Sequence, residues 1–324
     1  MRMGSAFAAV VAAVAIGIGI WSVSRPASAP SAKLQLCATV APLADWLREV
    51  GGEDAEVHCL VDGSKDPHHF EPSPQDAQRV SSARAVFAVG LDLDPWVEPF
   101  VKNAGRGDKL VLFKTGDWIT PRKFEHHEIE IGAHHEEEHQ QGGPDPHYWQ
   151  DPRRAMSVVS RMADELIKLD PTHTRNYASR RDACLDKLKA LDELNESAAK
   201  LIPKDQRLVT FHDAYGYLFE RLHVHIAAVV QVTPGVEPTL KDCTEALGAM
   251  RQIKQSVIFK EPSGSDRAIE IIARELGITK IEILDPLDNE LSSVGKNYFE
   301  RMKHNITILA RTLTDRPAEA AKLE

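Results

Sequence analysis

The 324-residue sequence predicts an α/β fold of two similar lobes, each with a mostly parallel sheet flanked by helices, joined by a long rigid linking helix. Three observations predict it. Short apolar runs alternate with amphipathic stretches through both halves, a long helical pattern separates the halves, and the length suits two average domains. A hydrophobic content of 43% with 6% aromatics is ordinary for a soluble globular chain. Forty-eight acidic against 39 basic residues, a formal charge of −9, argue against a nucleic-acid binder, which needs a basic face. A cationic ligand fits this balance better, although mild acidity also serves solubility.

The chain opens with Arg2 and an uncharged Ala/Val/Ile/Gly run from Ala6 to Trp21, the pattern of an export signal. Ala27, Ser28 and Ala29 form a small-x-small site, so residues 1–29 are expected to be removed. An uncleaved anchor is the competing reading, since the run approaches the ~20 residues that span a bilayer. From Lys33 the runs LQLCATVA, AEVHCLV and AVFAVG alternate with PLADWLREVGG and DAQRVSSA, and KLVLF follows at 109–113. This is βαβαβ patterning, and such near-continuous apolar strands imply a parallel sheet covered on both faces. Residues 33–152 are expected to form the N-terminal lobe.

From Lys123 to Pro146 the sequence is rich in His, Glu, Gln and Gly with few apolar residues, which predicts a mobile loop. Regular helix resumes at Asp151-Pro152, an N-cap followed by Pro at the first helical position. A second helix from Thr172 to about Leu201 follows the Asp170-Pro171 break, and residues 153–203 thus make the helical connection. At ~1.5 Å per residue this second helix is roughly 45 Å long, a strut that resists large hinge motion, so closure should be modest. Beyond Pro203, RLVTFH, HIAAVV, a helix over Thr239–Ile253, SVIFKE, a helix over Ser265–Leu276, KIEILDPL and a terminal helix over Lys296–Thr314 describe a second α/β lobe at 204–324.

Four residues in loops at or after predicted strands carry metal-compatible groups: His68, His147, His212 and Asp285. Ligands collect at the carboxyl ends of strands in open α/β sheets, so groups distant in sequence converge there. Three imidazoles and a carboxylate suit Zn²⁺ in near-tetrahedral coordination. Each has an ordinary alternative: a surface His in a Pro-rich turn for His68, a loop residue for His147, a helix cap for His212 and an N-cap for Asp285.

The segments DPHHFEPSPQDAQRV, PDPHYWQDPRRA, VTFHDAYGYL and VIFKEPSGSDRAIEIIARELGITKIEILDPL resemble, in order and across the whole mature chain, the cluster A-I metal-binding proteins of ABC importers, the zinc and manganese uptake family. The pairing of a DPHxxxPxP with a DPHxWxDP segment is the specific part. The resemblance implies that His68, His147, His212 and Asp285 ligate the metal. Here Tyr148 precedes the Trp and Gln150 follows it, both departures from the family pattern, and His69 beside His68 leaves the choice of ligand open. His212, where a carboxylate is the alternative, leans towards the zinc branch. Glu261, ending VIFKE, is expected beside the ligands or as an alternative ligand.

The implied function is an exported, extracytoplasmic solute-binding protein, periplasmic or membrane-anchored. It captures Zn²⁺ as transported ligand and delivers it to the membrane permease of an ABC importer. It is expected to be a monomer and not an enzyme. A manganese-binding member of the same family is the alternative. A zinc hydrolase or surface adhesin is less favoured, because four protein ligands leave no position for a catalytic water. His126, His127, His134, His135 and His139, interleaved with glutamates in the loop, make a separate set of weak metal sites. Near pH 6 part of that set is charged, and its affinity should fall. Cys37, Cys59, Cys184 and Cys243 lack metal-site spacing. Cys37 and Cys59 lie in strand-like runs that can be neighbours, so a disulfide between them is expected.

Overall fold

Alternating small and β-branched runs form strands wherever both faces can be buried, and the first half of the chain shows this most fully. The computed structural model describes residues 32–62, 65–104, 110–129, 131, 142–230, 238–262, 266–288, 290 and 292–323. The expected export signal at 1–29 therefore lies outside the described residues. Strands β1 (Leu34–Ala38), β2 (Ala55–Cys59), β3 (Ala85–Ala88) and β4 (Val111–Lys114) make one parallel sheet in the order β2-β1-β3-β4. Along β1 and β3 alternate residues serve different cores. Leu36, Ala38 and Phe87 face one side, while Cys37, Val86 and Ala88 face the other. The first side is covered by α1 (Ala41–Gly51) and by helices that follow the sheet, the second by α2 (Pro74–Ser82) and α3 (Val97–Asn103).

This alternation corrects the expected disulfide. Register pairs Cys37 with His58 and Ala38 with Cys59, so the two thiols occupy opposite faces of the sheet. All four cysteines are buried and none is in a disulfide, and burial pushes the Cys37 thiol up to about 12.

Helix α4 (Pro152–Leu169) starts where Asp151 accepts from the Arg153 N–H and Pro152 takes the first helical position. Helix α5 (Thr174–Ala199) follows, 26 residues and about 39 Å long. Its buried stripe, Tyr177, Cys184, Leu188, Leu191, Asn195 and Ala198, repeats at three- and four-residue steps. That stripe makes α5 a shared spine. It packs on α4 and α1 from the first half and on α6 (Gly216–Leu222) and α9 (Tyr298–Leu313) from the second. One apolar core runs continuously from Leu36 to Ala310 through these helices.

The second half holds two two-stranded parallel sheets among the described residues: β5 (Gln206–Thr210) with β6 (Val224–Val229), and β7 (Ile258–Lys260) with β8 (Ile281–Ile283). They are not one sheet because the Gln255 side chain occupies the backbone positions between them. Its Oε1 accepts from Val209 N at 2.7 Å, and its Nε2 donates to Val257 O at 2.8 Å. Helices α7 (Leu240–Gln252) and α8 (Asp266–Leu276) close a separate core over Val209, Ile258 and Ile272. A short α10 (Pro317–Ala320) ends the described helices.

The His-rich segment also departs from expectation. Its ends pair, with Phe124 N donating to Gly143 O at 3.0 Å and Asp145 N to Arg122 O at 2.9 Å. Ile129 N then donates to Ala227 O at 2.9 Å, and Ile131 enters the core of the second half. Phe124, Ile129 and Ile131 are enough apolar surface to hold 124–129 and 131 against the protein, which the polar composition obscured.

Candidate metal centre

Two Asp-Pro-His turns carry the first two histidines. Proline fixes its own φ and offers no N–H, and the preceding Asp accepts the N–H two residues on, closing an Asx turn. Thus Asp66 Oδ1 accepts from His68 N at 2.8 Å, and Asp145 Oδ1 from His147 N at 2.9 Å. His212 stands two residues beyond the end of β5, at a carboxyl end of the parallel strands.

The structure brings His68, His147 and His212 together, with one potential ligand atom from each within 4.8 Å of the others. Ring centroids are 5.8, 5.9 and 5.1 Å apart for His68–His147, His68–His212 and His147–His212. His147 and His212 are buried, and the Nε2 atom of each of the three rings is shielded from solvent and makes no hydrogen bond. A tetrahedral Zn²⁺ with bonds of about 2.0–2.1 Å spaces its nitrogens about 3.3 Å apart, so a small inward movement seats the trio on one ion. His69 is exposed and outside the trio, whereas His68 lies within it.

Orientation of His147 is strongly enforced. Its Nδ1 lies 2.9 Å from the same Asp145 Oδ1, and a ring that donates from Nδ1 to a carboxylate presents Nε2 as the acceptor. Arg122 Nη1 holds the other oxygen of Asp145 at 2.9 Å, and the Tyr217 hydroxyl donates to the Asp145 carbonyl at 2.8 Å. Burial works to raise the Asp145 carboxyl, but the hydrogen bond and charge of His147, with the charge of Arg122, hold it below the ordinary range.

Asp285, the expected fourth ligand, sits just past β8 but is not in the trio. It forms a third turn of the same kind, its Oδ1 accepting from Leu287 N at 2.8 Å, with Leu where the other turns have His. Asp285 therefore stands in the position of Asp66 and Asp145. Its carboxylate also receives Arg301 Nε at 2.8 Å, Arg301 Nη2, and Ser292 Oγ at 2.7 Å. Asn305 clasps its main chain, and Trp149 Nε1 and Gln150 Nε2 donate to Pro286 O at 2.8 and 2.9 Å. Gln150, a departure from the family pattern, thus ties the second histidine turn to the third turn. Tyr148, the other departure, is buried against Thr115 with hydroxyls 2.5 Å apart.

Glu261 lies beside the site as expected, its Oε1 3.9 Å from His212 Nδ1 and 3.1 Å from the Tyr215 hydroxyl. Burial and the charge of Asp288 hold Glu261 well above the ordinary carboxylate range. Burial, then Asp66 and Asp285, push Asp288 up to about 7. This concentration of acidic groups around three imidazoles favours a cation. Of the loop histidines, His126 is exposed and His127 reaches Asp213 with Nε2–Oδ2 2.9 Å, next to His212. Burial opposes charge on His127, yet the hydrogen bond and charge of Asp213 raise it above its ordinary value. His134, His135 and His139 lie outside the described residues. Sequence reasoning missed Arg122, Arg301 and Asn305. The signal for the last two was a polar pair four residues apart on the apolar face of the terminal helix.

Known proteins agree with this architecture. Zinc-binding protein AdcA of Streptococcus pyogenes is 27% identical over 291 residues, covering 86% of this chain and 56% of its own length. The chain therefore spans little more than half of that relative. Manganese ABC transporter substrate-binding lipoprotein PsaA of Streptococcus pneumoniae is 27% identical over 93% of this chain and 96% of its own. The crystal structure of the Zn(II)-bound ZnuA-like domain of Streptococcus pneumoniae AdcA superposes with a TM-score of 0.71 at 23% identity, covering 87% of this chain and 99% of that domain, and shares the fold. The model of the family described as zinc-uptake complex component A, periplasmic (ZnuA), a family of binding components and not of enzymes, matches residues 36–312, and the chain belongs to that family.

Proposed function

We infer that this chain is an extracytoplasmic solute-binding protein that captures Zn²⁺ and hands it to the membrane permease of an ABC importer. The convergence of His68, His147 and His212 within 4.8 Å carries the reading. Three imidazoles form a borderline-soft set that suits Zn²⁺ better than Mn²⁺, which prefers carboxylate, carbonyl and water oxygens. Residues 33–152 and 204–324 serve as the two metal-facing lobes, and α5 is the element they share. Residues 1–29 act as the export signal. Among the described residues no helix is long and apolar enough to cross a membrane. The packed part of the His-rich segment holds His127 against Asp213, the residue that follows His212.

Elemental analysis of protein purified without an affinity tag, followed by competition of Zn²⁺ against Mn²⁺, tests this reading. One zinc per chain that manganese does not displace is expected, and preferential retention of manganese would refute it.

A further inference from the structure

We propose that Arg301 sets the metal preference of this site by holding Asp285 away from the ion. The proposal deepens the three-histidine reading and rests on it.

Asp285 has two oxygens and four donors. Oδ1 accepts from Leu287 N and Arg301 Nη2, and Oδ2 accepts from Arg301 Nε and Ser292 Oγ. A carboxylate has about four lone-pair sites, and these donors fill them. The Arg301 contact is the bidentate fork that guanidinium makes and an ammonium does not. Asp285 and Arg301 are both almost wholly buried, so water does not compete for either. The backbone is equally constrained. Asn305 Oδ1 accepts from Asp285 N at 2.9 Å, its Nδ2 donates to Asp285 O at 2.6 Å, and Pro286 O is held by Trp149 and Gln150.

The arrangement has a chemical consequence. A carboxylate oxygen added to three imidazoles hardens the ligand set and improves it for Mn²⁺. While Arg301 occupies Asp285, the protein offers the ion nitrogen from His68, His147 and His212. Arg301 neutralises the charge of Asp285 and fixes the geometry of the turn that carries it.

The test is competition of Zn²⁺ against Mn²⁺ on the tag-free full chain carrying Arg301→Met. Asp285 then loses two of its four donors and is freed from the fork that fixes its carboxylate. The zinc-over-manganese ratio should narrow by about 10–100-fold, the range typical of residues that support metal ligands. The double variant Arg301→Met/Asp285→Asn should return the ratio to the wild-type range, because its new ligand is gone and no unpaired buried charge remains. An unchanged ratio in the cooperatively folded single variant, or a narrowed ratio that persists in the double variant, would overturn the proposal. Should Arg301→Met not fold, Arg301→Lys keeps the charge but not the fork, and an intermediate narrowing is expected. No change there contradicts the proposal equally. Failure of the three-histidine reading is separately visible, as a His147→Ala variant with Arg301 and Asp285 intact that keeps its zinc.

Discussion

The turns at 145–147 and 285–287 are built alike and end differently. In both, an Asp-Pro pair closes on the N–H two residues later, and an arginine from elsewhere in the chain grips the Asp carboxylate. The first turn presents a histidine, and the aspartate serves by orienting it. The second presents Leu287, which is fully buried in the shared core, and the aspartate has nothing to orient. The same backbone device thus presents a histidine in one half and a buried leucine in the other, and the third residue of the turn makes the difference.

Substitutions sharpen that contrast. Asp145→Ala removes the acceptor that fixes both the main chain and the ring of His147, and zinc affinity should fall about 10–100-fold, measured by competition with a chelator. Asp145→Asn, which keeps an acceptor for the turn, should lose less. Leu287→Ala in the second turn should cost about 2–5 kcal/mol of stability in denaturant unfolding, with zinc affinity unchanged.

A smaller effect comes from another Asp-Pro site, at 170–171. Asp170 accepts from Tyr177 at 2.8 Å and pairs with His173 Nδ1 at 2.5 Å, far from any metal ligand in sequence. The hydrogen bond of Asp170 raises the His173 imidazole above its ordinary value. A raised imidazole contributes stability that is fully present below its unfolded value, about 6.5, and is lost as pH rises through the folded value. His173→Ala should therefore lower the melting temperature at pH 5.5 and approach wild type in alkaline buffer, with zinc binding untouched.

Much of this architecture was legible in the sequence, for physical reasons that also explain the misses. Period-two apolar runs and the Asp151-Pro152 start signal are local, and the sheet of the first half and α4 follow from them. His68, His147 and His212 stood out because two lie in repeated Asp-Pro-His triplets and one ends an apolar run. Arg301 and Asn305 show in the sequence only as a polar pair on an apolar helix face, and their partner lies 16 to 20 residues earlier, so only the packing of α9 brings them to it. The Cys37–Cys59 pairing failed for a related reason. Neighbouring strands were read without register, and a one-residue offset puts the thiols on opposite faces. Residues 124–129 and 131 look unpacked in the sequence because three apolar residues among many charges carry little weight in composition yet suffice to dock them.

X-ray absorption at the zinc edge tests the three-histidine centre most directly. Wild-type protein should show three imidazole nitrogens in the zinc shell, and His147→Ala should show two with a large loss of affinity. A wild-type shell with fewer imidazoles, or one left unchanged by His147→Ala, would contradict the account.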